Sequence, residues 1–172
     1  MKKLILMLAL VFLFCFTFSC QKVEEVVEEP ALDIEAEKVA VKAVLDDWIK
    51  CMETEDMELF SKTIAPDDDM VVIATDAAEY YVGQEPFKES MQKQFDTFEK
   101  MEVSIKDLSI KVHKLGEVSW FSCKMDGKVT TGGEIVNLEG LRFTAVLEKR
   151  AGNWVIVQLH FSAPVAGQVV EY

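Results

Sequence analysis

The last two predicted strands constrain the fold of this chain more than any other part of its sequence. Val, Ile and Phe dominate residues 153–161, a Gly-Asn turn signal precedes them, and Pro164 ends the run, as is typical of a β-strand. Residues 139–149 are predicted to form the strand before it. A three-residue loop at 150–152, with glycine in the left-handed position, is a favoured way to join two such strands.

This loop predicts a register in which Lys149 lies opposite Asn153 and Arg142 lies opposite His160. Polar side chains then collect on one face of the hairpin, together with one tryptophan: Arg142, Thr144, Trp154, Gln158, His160 and Ser162. The other face is wholly apolar: Leu141, Phe143, Ala145, Leu147, Val155, Val157, Leu159 and Phe161. A slip of one residue would mix the two faces. The separation therefore supports the register, and the apolar face must be covered.

The charge of the chain excludes one large class of partner. Its 172 residues include 30 acidic and 18 basic side chains, for a net charge of -12. Nucleic acid is not expected as a partner, because phosphate binding draws on clustered Lys and Arg. Once an N-terminal segment is set aside, about 140 residues remain, which is one domain with enough chain for a core.

The N-terminal segment resembles a bacterial lipoprotein signal. A charged start and an apolar run, too short for a comfortable membrane span, lead to Ser19 and Cys20. The resemblance implies that residues 1–19 are a signal peptide and that Cys20 is acylated, for example with palmitate, which anchors the protein to a membrane. Thr17 departs from the usual Leu of this pattern. The alternative is a soluble secreted protein that is cleaved nearby.

The residue after Cys20 bears on the subcellular location. Gln21 is not the Asp that retains enterobacterial lipoproteins in the inner membrane, so the resemblance implies the outer membrane of the cell envelope, on either its periplasmic or its surface face. Residues 20–32 are rich in Glu and Val and are predicted to be an acidic tether that repels itself and extends. A helical tether is the alternative. The folded domain is predicted over 33–164, with a C-terminal tail at 165–172.

Three helices are predicted in the first half of the domain. Asp33 is predicted to cap the first and Asp56 the second, while Pro86 is predicted at the first position of the third. The first helix carries an apolar stripe at helical spacing: Val41, Val44, Leu45, Trp48, Ile49 and Met52. The third carries another: Phe87, Met91, Phe95 and Phe98.

From Glu102 onward the apolar period changes to two, which indicates strands. A change of phase around Lys106 and Asp107 predicts a β-bulge, which bends a long strand. Glycine turns at Gly116 and 132–133 then separate the strands that lead to the closing hairpin. The fold class is therefore α+β, with three helices followed by a curved antiparallel sheet of four long strands.

Neither the aspartates nor the cysteines form a recognisable metal motif. The run of aspartates at 67–69 lacks the glycine and the distal Glu of a calcium loop and is predicted to be a solvated turn. Once Cys15 leaves with the signal and Cys20 carries lipid, Cys51 and Cys123 remain. They form either a disulfide or, as we expect, two buried free thiols. No metal or cofactor is predicted.

The order of elements and several short motifs resemble the nuclear transport factor 2-like superfamily, in particular its SnoaL-like branch and the association domain of calcium/calmodulin-dependent kinase II. The matching motifs are Trp48, residues 55–58, residues 81–83, and above all 152–156 with 160–164. The resemblance covers nearly the whole domain. It implies a cone-shaped fold in which N-terminal helices pack on a strongly curved antiparallel sheet and enclose a cavity. It also implies a homodimer formed through the sheet.

The resemblance further implies what the cavity contains. In the kinase association domain the cavity is polar, with a Tyr, a His, a Trp and two Arg. Matching the motifs places those positions on Phe60, Phe87, Phe95, Ala145 and Phe161, all of which are apolar. We therefore predict an apolar ligand pocket with these walls: Trp48, Phe60, Phe87, Phe95, Phe121, Ala145 and Phe161.

Polar residues of the domain offer a catalytic alternative. His160, with Arg142 opposite it and Ser162 next in line, suggests a triad, but it has no orienting carboxylate and lies on the face predicted to be outside. We predict that Arg142 and His160 are structural or dimer-interface residues, with Arg142 paired to a glutamate or a partner subunit. Inside the cavity the candidate acids and bases are few: Asp76, Tyr80 and Tyr81.

Three functions stay open, because this fold hosts isomerases, dehydratases and simple binding proteins. The first is a non-catalytic, membrane-anchored domain that binds a small hydrophobic molecule. The second is an isomerase-like or dehydratase-like enzyme, which an ionisable cavity residue with a perturbed pKa would favour. The third is an envelope assembly module that acts through its sheet.

Overall fold

The computed structural model of the protein describes residues 32–167. The predicted signal peptide, Cys20 and nearly all of the tether lie outside the described residues, as does most of the C-terminal tail. Within 32–167, every helix falls short of the length and apolar character that crossing a bilayer requires. Within the described residues, the helices and strands lie between residues 34 and 162, so a chain that starts at residue 21 retains each of these elements.

Three helices and six strands make up this part of the chain. The helices are α1 (Ile34–Thr54), α2 (Met57–Thr63) and α3 (Gln84–Thr97). The strands are β1 (Val71–Ile73), β2 (Tyr80–Val82), β3 (Lys100–Val112), β4 (Val118–Thr131), β5 (Glu134–Arg150) and β6 (Asn153–Ser162).

The predicted helix caps are confirmed at the first two helices. The Asp33 carboxylate accepts the backbone N–H of Glu35 at 3.1 Å and of Ala36 at 3.0 Å, and Asp56 caps α2 in the same way. These bonds satisfy amides that have no partner inside the helix. The third helix begins at Gln84, so Pro86 stands at its third position and not at its first.

The sheet has the order β2-β1-β6-β5-β4-β3. Its four long strands pair antiparallel, as predicted, whereas β1 pairs parallel to β6. The α+β fold class is thus confirmed, with the correction that the curved sheet is mixed and does not close on itself.

Bulges bend the long strands. The predicted bulge in β3 is confirmed, because the register shifts between Lys106 and Ser109 and Asp107 adopts φ 54°. A second shift lies in the β4–β5 pair after Met125. There Gly140 adopts φ 65°, a conformation that suits glycine, and donates its N–H to the Asp126 carboxylate at 2.8 Å.

The predicted register of the closing hairpin is wrong. Arg150 lies opposite Asn153, and further along Thr144 lies opposite His160 and Arg142 opposite Ser162. The loop therefore has two residues, with φ 48° and 84°, which is the geometry of a primed turn that fits the twist of the strands.

A bulge in β6 also changes which of its residues face the core. Val146 pairs with Gln158 but Leu147 pairs with Ile156, so Val157 is the extra residue. A bulge inverts the alternation of side chains beyond it. Trp154 and Ile156 are consequently buried, whereas Val155 and Val157, predicted to face inward, are only half-buried. The inward positions of Ala145 and Phe161 are as predicted, with 3% and 9% of their surfaces exposed.

Trp154 anchors the first helix to the hairpin. Its indole N–H donates to the Glu37 carboxylate at 2.9 Å, and the Lys149 ammonium donates to the other Glu37 oxygen at 2.6 Å. The hydrogen bond from Lys149, and next that from Trp154, lower the pKa of Glu37. Because the folded-state pKa is lowered, this stabilisation is present above the usual glutamate pKa and is lost as the pH falls through the lower folded-state value.

We expect Trp154→Phe to lower the free energy of unfolding at pH 7 by about 1.5 to 3 kcal/mol, since a hydrogen bond to a charged group is lost. The difference from the wild type should shrink in acid, once Glu37 is protonated. Tyr80→Phe is the control, because Tyr80 is 58% exposed, and it should change stability by about 0.5 kcal/mol or less. Urea unfolding at pH 7 and pH 3 measures both, and equal losses in the two variants would contradict the role of Glu37.

Candidate functional site

A cavity of about 240 Å³ lies where α1 and α3 cover the sheet. Thirteen of its sixteen lining residues are apolar: Trp48, Met52, Val72, Ala74, Phe87, Met91, Phe98, Met101, Met125, Val129, Leu138, Leu141 and Phe161. Phe87 and Met91 of α3, with Phe98 directly after that helix, form one wall, and β3 to β6 supply the opposite wall. A concave, mainly apolar space with a few polar groups is the usual form of a small-molecule site.

The structure brings together three of the seven predicted pocket residues. Trp48, Phe87 and Phe161 line the cavity. The other four are buried in the core but do not line it, which corrects the predicted wall: Phe60, Phe95, Phe121 and Ala145.

Ring packing explains why two of these phenylalanines lie behind the cavity. Phe60 packs against Phe87 with ring centroids 5.4 Å apart. On the sheet side, Phe143 stacks on Phe161 at 4.2 Å and meets Phe121 edge-on at 5.0 Å. Such pairs fix ring orientation as well as burying area. Phe60 and Phe121 therefore support the wall from the core.

Methionines form the part of the wall that the sequence prediction missed. Of the six methionines in the described residues, four line the cavity: Met52, Met91, Met101 and Met125. Each comes from a different element, so no local pattern in the sequence groups them. Unbranched thioether side chains adapt to irregular shapes and contact aromatic rings favourably. They make the cavity wall polarisable and deformable.

Three polar residues complete the lining: Thr75, Glu79 and Gln94. Among the lining residues that the structure describes, Glu79 is the only ionisable one. It belongs to the loop between β1 and β2, where its carboxylate accepts the backbone N–H of Asp76 at 2.9 Å and the Thr75 hydroxyl at 3.4 Å. Asp76 was the acidic residue predicted for this loop, and Glu79, three residues further along, was not predicted.

Trp48 carries an unusual buried donor. Its indole nitrogen is buried and finds no hydrogen-bond acceptor within the described part of the chain. The ring packs between Phe60 and Phe87, with centroids at 6.2 and 5.8 Å. A buried donor without a partner costs about 1 to 3 kcal/mol. The packing of the Trp48 ring around the cavity must therefore offset the cost of leaving its N–H without a hydrogen bond.

The polar residues considered as catalytic candidates lie elsewhere. Arg142 is exposed and donates to the Ala163 carbonyl at 2.8 Å, which corrects the predicted pairing with a glutamate. His160 lies across from Thr144, not Arg142. The Tyr81 hydroxyl bonds to Ser90 at 2.8 Å, and Tyr80 is exposed. None of these side chains lines the cavity.

Asp67, the first residue of the aspartate turn, forms an ion pair with Arg150. Both Asp67 carboxylate oxygens bind Arg150 at 2.6 Å, and the hydrogen bond from that guanidinium lowers the pKa of Asp67. Within residues 32–167, no group of three or more His, Cys, Asp or Glu side chains is placed to hold a metal ion.

A wider groove of about 810 Å³ crosses β3, β4 and β5. Five of its lining residues are charged, and two of them, Lys106 and Asp126, form an ion pair. It is open and polar, and we therefore take the smaller apolar cavity as the candidate site.

Comparison with known protein families agrees with this fold of helices packed on a curved sheet. The SnoaL-like domain model matches residues 41–166, so the chain belongs to the SnoaL-like domain family. Comparison with curated protein sequences finds no match.

Solved structures show the same fold. A proposed dehydratase of the NTF2-like family from Streptomyces avermitilis is 17% identical, with a TM-score of 0.69, over 77% of this chain and 99% of that one. A proposed calcium/calmodulin dependent protein kinase II association domain from Xanthomonas campestris is 22% identical, with a TM-score of 0.64, over 74% and 87%. An NTF2-like superfamily protein from Salmonella enterica is 17% identical, with a TM-score of 0.68, over 80% and 98%. These similarities establish the fold, which hosts several activities.

Cys51 and Cys123, the cysteines of the described residues, are free and buried, as expected. Burial raises the pKa of the Cys51 thiol to about 12 and that of Cys123 to about 11. Since the thiolate is the reactive form, neither group is a nucleophile at neutral pH.

We expect both thiols, in a chain that starts at residue 21, to react with iodoacetamide at pH 8 at least about a hundredfold more slowly in the native state than in denaturant, because burial suppresses the thiolate and blocks access. Mass spectrometry of timed samples counts the alkylated cysteines. Fast native labelling would contradict the burial, and failure to label even in denaturant without reductant would reveal a disulfide.

Proposed function

We propose that this protein is a non-catalytic binding domain for a small hydrophobic molecule. One observation carries the proposal: thirteen of the sixteen residues around a 240 Å³ cavity are apolar. An engineered apolar cavity of about 150 Å³ stays dry and binds benzene. By that scale this cavity suits a ligand with one or two rings, whose burial contributes about 25 cal/mol per Å² of apolar area.

The lining gives little support to acid–base catalysis. Isomerases and dehydratases move protons, which calls for acid and base groups within hydrogen-bonding reach of the substrate. Among the described lining residues only Glu79 can ionise, and its carboxylate is engaged by the Asp76 backbone and the Thr75 hydroxyl. A dehydratase activity is proposed for the Streptomyces protein, but at 17% identity that similarity shows only a shared fold. Here the single carboxylate is better suited to recognising a ligand than to transforming one.

Membrane attachment and dimerisation are part of the proposal. The lipoprotein-like signal supports acylation of Cys20 and a location in the cell envelope, with the outer membrane as its site. The face of the sheet opposite the three described helices carries Arg142, His160 and the half-exposed Trp120, and it is proposed as the contact with a second copy. An aromatic side chain exposed on a sheet face favours association.

We expect Ala74→Phe to abolish ligand retention, because a phenyl ring at this position fills part of the cavity. Ala77→Phe is the matched control, since Ala77 lies in the same loop, is exposed and does not line the cavity. Native mass spectrometry of the chain from residue 21 reports any retained small molecule and the number of subunits together.

In that experiment the wild type and Ala77→Phe should carry the same apolar adduct and Ala74→Phe should not. Equal retention by all three would place the ligand elsewhere and contradict the proposal. A spectrum of monomers only, at micromolar concentration, would contradict the dimer.

We expect Cys20→Ala, in the full chain expressed in a bacterium, to eliminate labelling by an alkyne analogue of palmitate. Cys15→Ala should label like the wild type, since Cys15 is removed with the signal. Gel fluorescence after click chemistry measures the label. Loss of labelling in both variants, or in neither, would contradict Cys20 as the acylated residue.

A further inference from the structure

We infer that the ligand is a lipophilic cation: an apolar body of one or two rings that carries one positively charged nitrogen, held by the Glu79 carboxylate. This inference rests on the proposed function and adds the chemical class of the ligand.

Glu79 is held firmly at the edge of the cavity. The backbone carbonyl of Glu79 accepts the Ala74 N–H at 2.9 Å, and the backbone N–H of Glu79 donates to the Asp76 carbonyl at 3.0 Å. Together with the side-chain bonds to Thr75 and Asp76, these contacts close a tight loop around the carboxylate. A group that is already ordered loses little entropy when a ligand binds.

Within the described residues Glu79 has no ion-pair partner. Ten ion pairs engage some of the other acidic side chains of residues 32–167, and none includes Glu79. A half-buried carboxylate beside apolar walls, without a countercharge, attracts a cation more strongly than the same group in open water. The cavity lining supplies no Lys, Arg or His among the described residues, so the countercharge is left to the ligand.

The other walls of the cavity suit a cation with apolar substituents. Four aromatic side chains line it: Trp48, Phe87, Phe98 and Phe161. Aromatic faces attract ammonium groups, more strongly as water is excluded, and the four thioethers add polarisable contacts. The chain's net charge of -12 attracts cations and repels anions on approach. Aromatic rings, thioethers and one carboxylate therefore act in the same direction.

A pair of ligands with the same shape tests the inference. Phenyltrimethylammonium and tert-butylbenzene differ in one atom and one charge. Chains from residue 21 labelled with carbon-13 on the methionine methyl groups report where each binds, because four methionines line the cavity while Met57 and Met70 do not. NMR titration gives the affinity of each ligand.

We expect both ligands to shift the signals of the cavity methionines, and the cation to bind about tenfold more tightly or better. Glu79→Gln should lower the affinity for the cation by about tenfold and leave that for the neutral ligand within about twofold. Glu89→Gln is the matched control, since it removes the same charge from an exposed position on α3 and should change neither affinity.

The outcomes separate the two proposals. Equal binding of both ligands to the wild type would overturn the cation inference and leave the binding function standing, and this comparison needs no variant to fold. Equal losses in Glu79→Gln and Glu89→Gln would also overturn it, because they would assign the effect to net charge. If neither ligand shifted the cavity methionines, both proposals would fail.

Discussion

Burial of the apolar face of the β5–β6 hairpin is the constraint on which the rest of the structure depends. Leu141, Phe143, Leu147, Leu159 and Phe161 all face inward and are nearly inaccessible to water. Removing such side chains from water contributes about 1.5 to 3 kcal/mol each. A single sheet cannot cover its own face, so the helices must pack on it. The stripes on α1 and α3 do so, and the Glu37–Trp154 bond fixes α1 to the hairpin.

The cavity exists because the helices do not fill all the space above the inner face of the sheet. Bulges bend the long strands away from a flat surface, and straight helices cannot follow the curvature everywhere. Aromatic pairs fill the space behind the walls, which leaves about 240 Å³ between them. Methionines then line what remains. A deformable wall of this kind would accept ligands of varied shape, and in the binding mode that we propose the Glu79 carboxylate fixes the position of the polar group.

The candidate site was predictable only in part. The resemblance to the kinase association domain pointed to Phe87 and Phe161, and helical spacing and strand alternation placed both on inward faces. The same patterns could not separate a wall residue from one behind it, and Phe60 and Phe121 lie in that second layer. Glu79 and the methionines gave no signal, since they come together from α1, α3, two strands and a loop. Their proximity exists only after the chain has folded.

The sequence by itself determined the α+β class, the caps of α1 and α2, the bulge in β3 and the apolar character of the inner face, because each depends on neighbouring residues and on local backbone preferences. Tertiary structure alone decided the hairpin register, the parallel pairing of β1 with β6 and the shape of the cavity. A primed two-residue turn and a bulge at Val157 shifted the register while keeping Ala145 and Phe161 inward. Burial constrains which side a residue faces, but long-range packing decides what it touches.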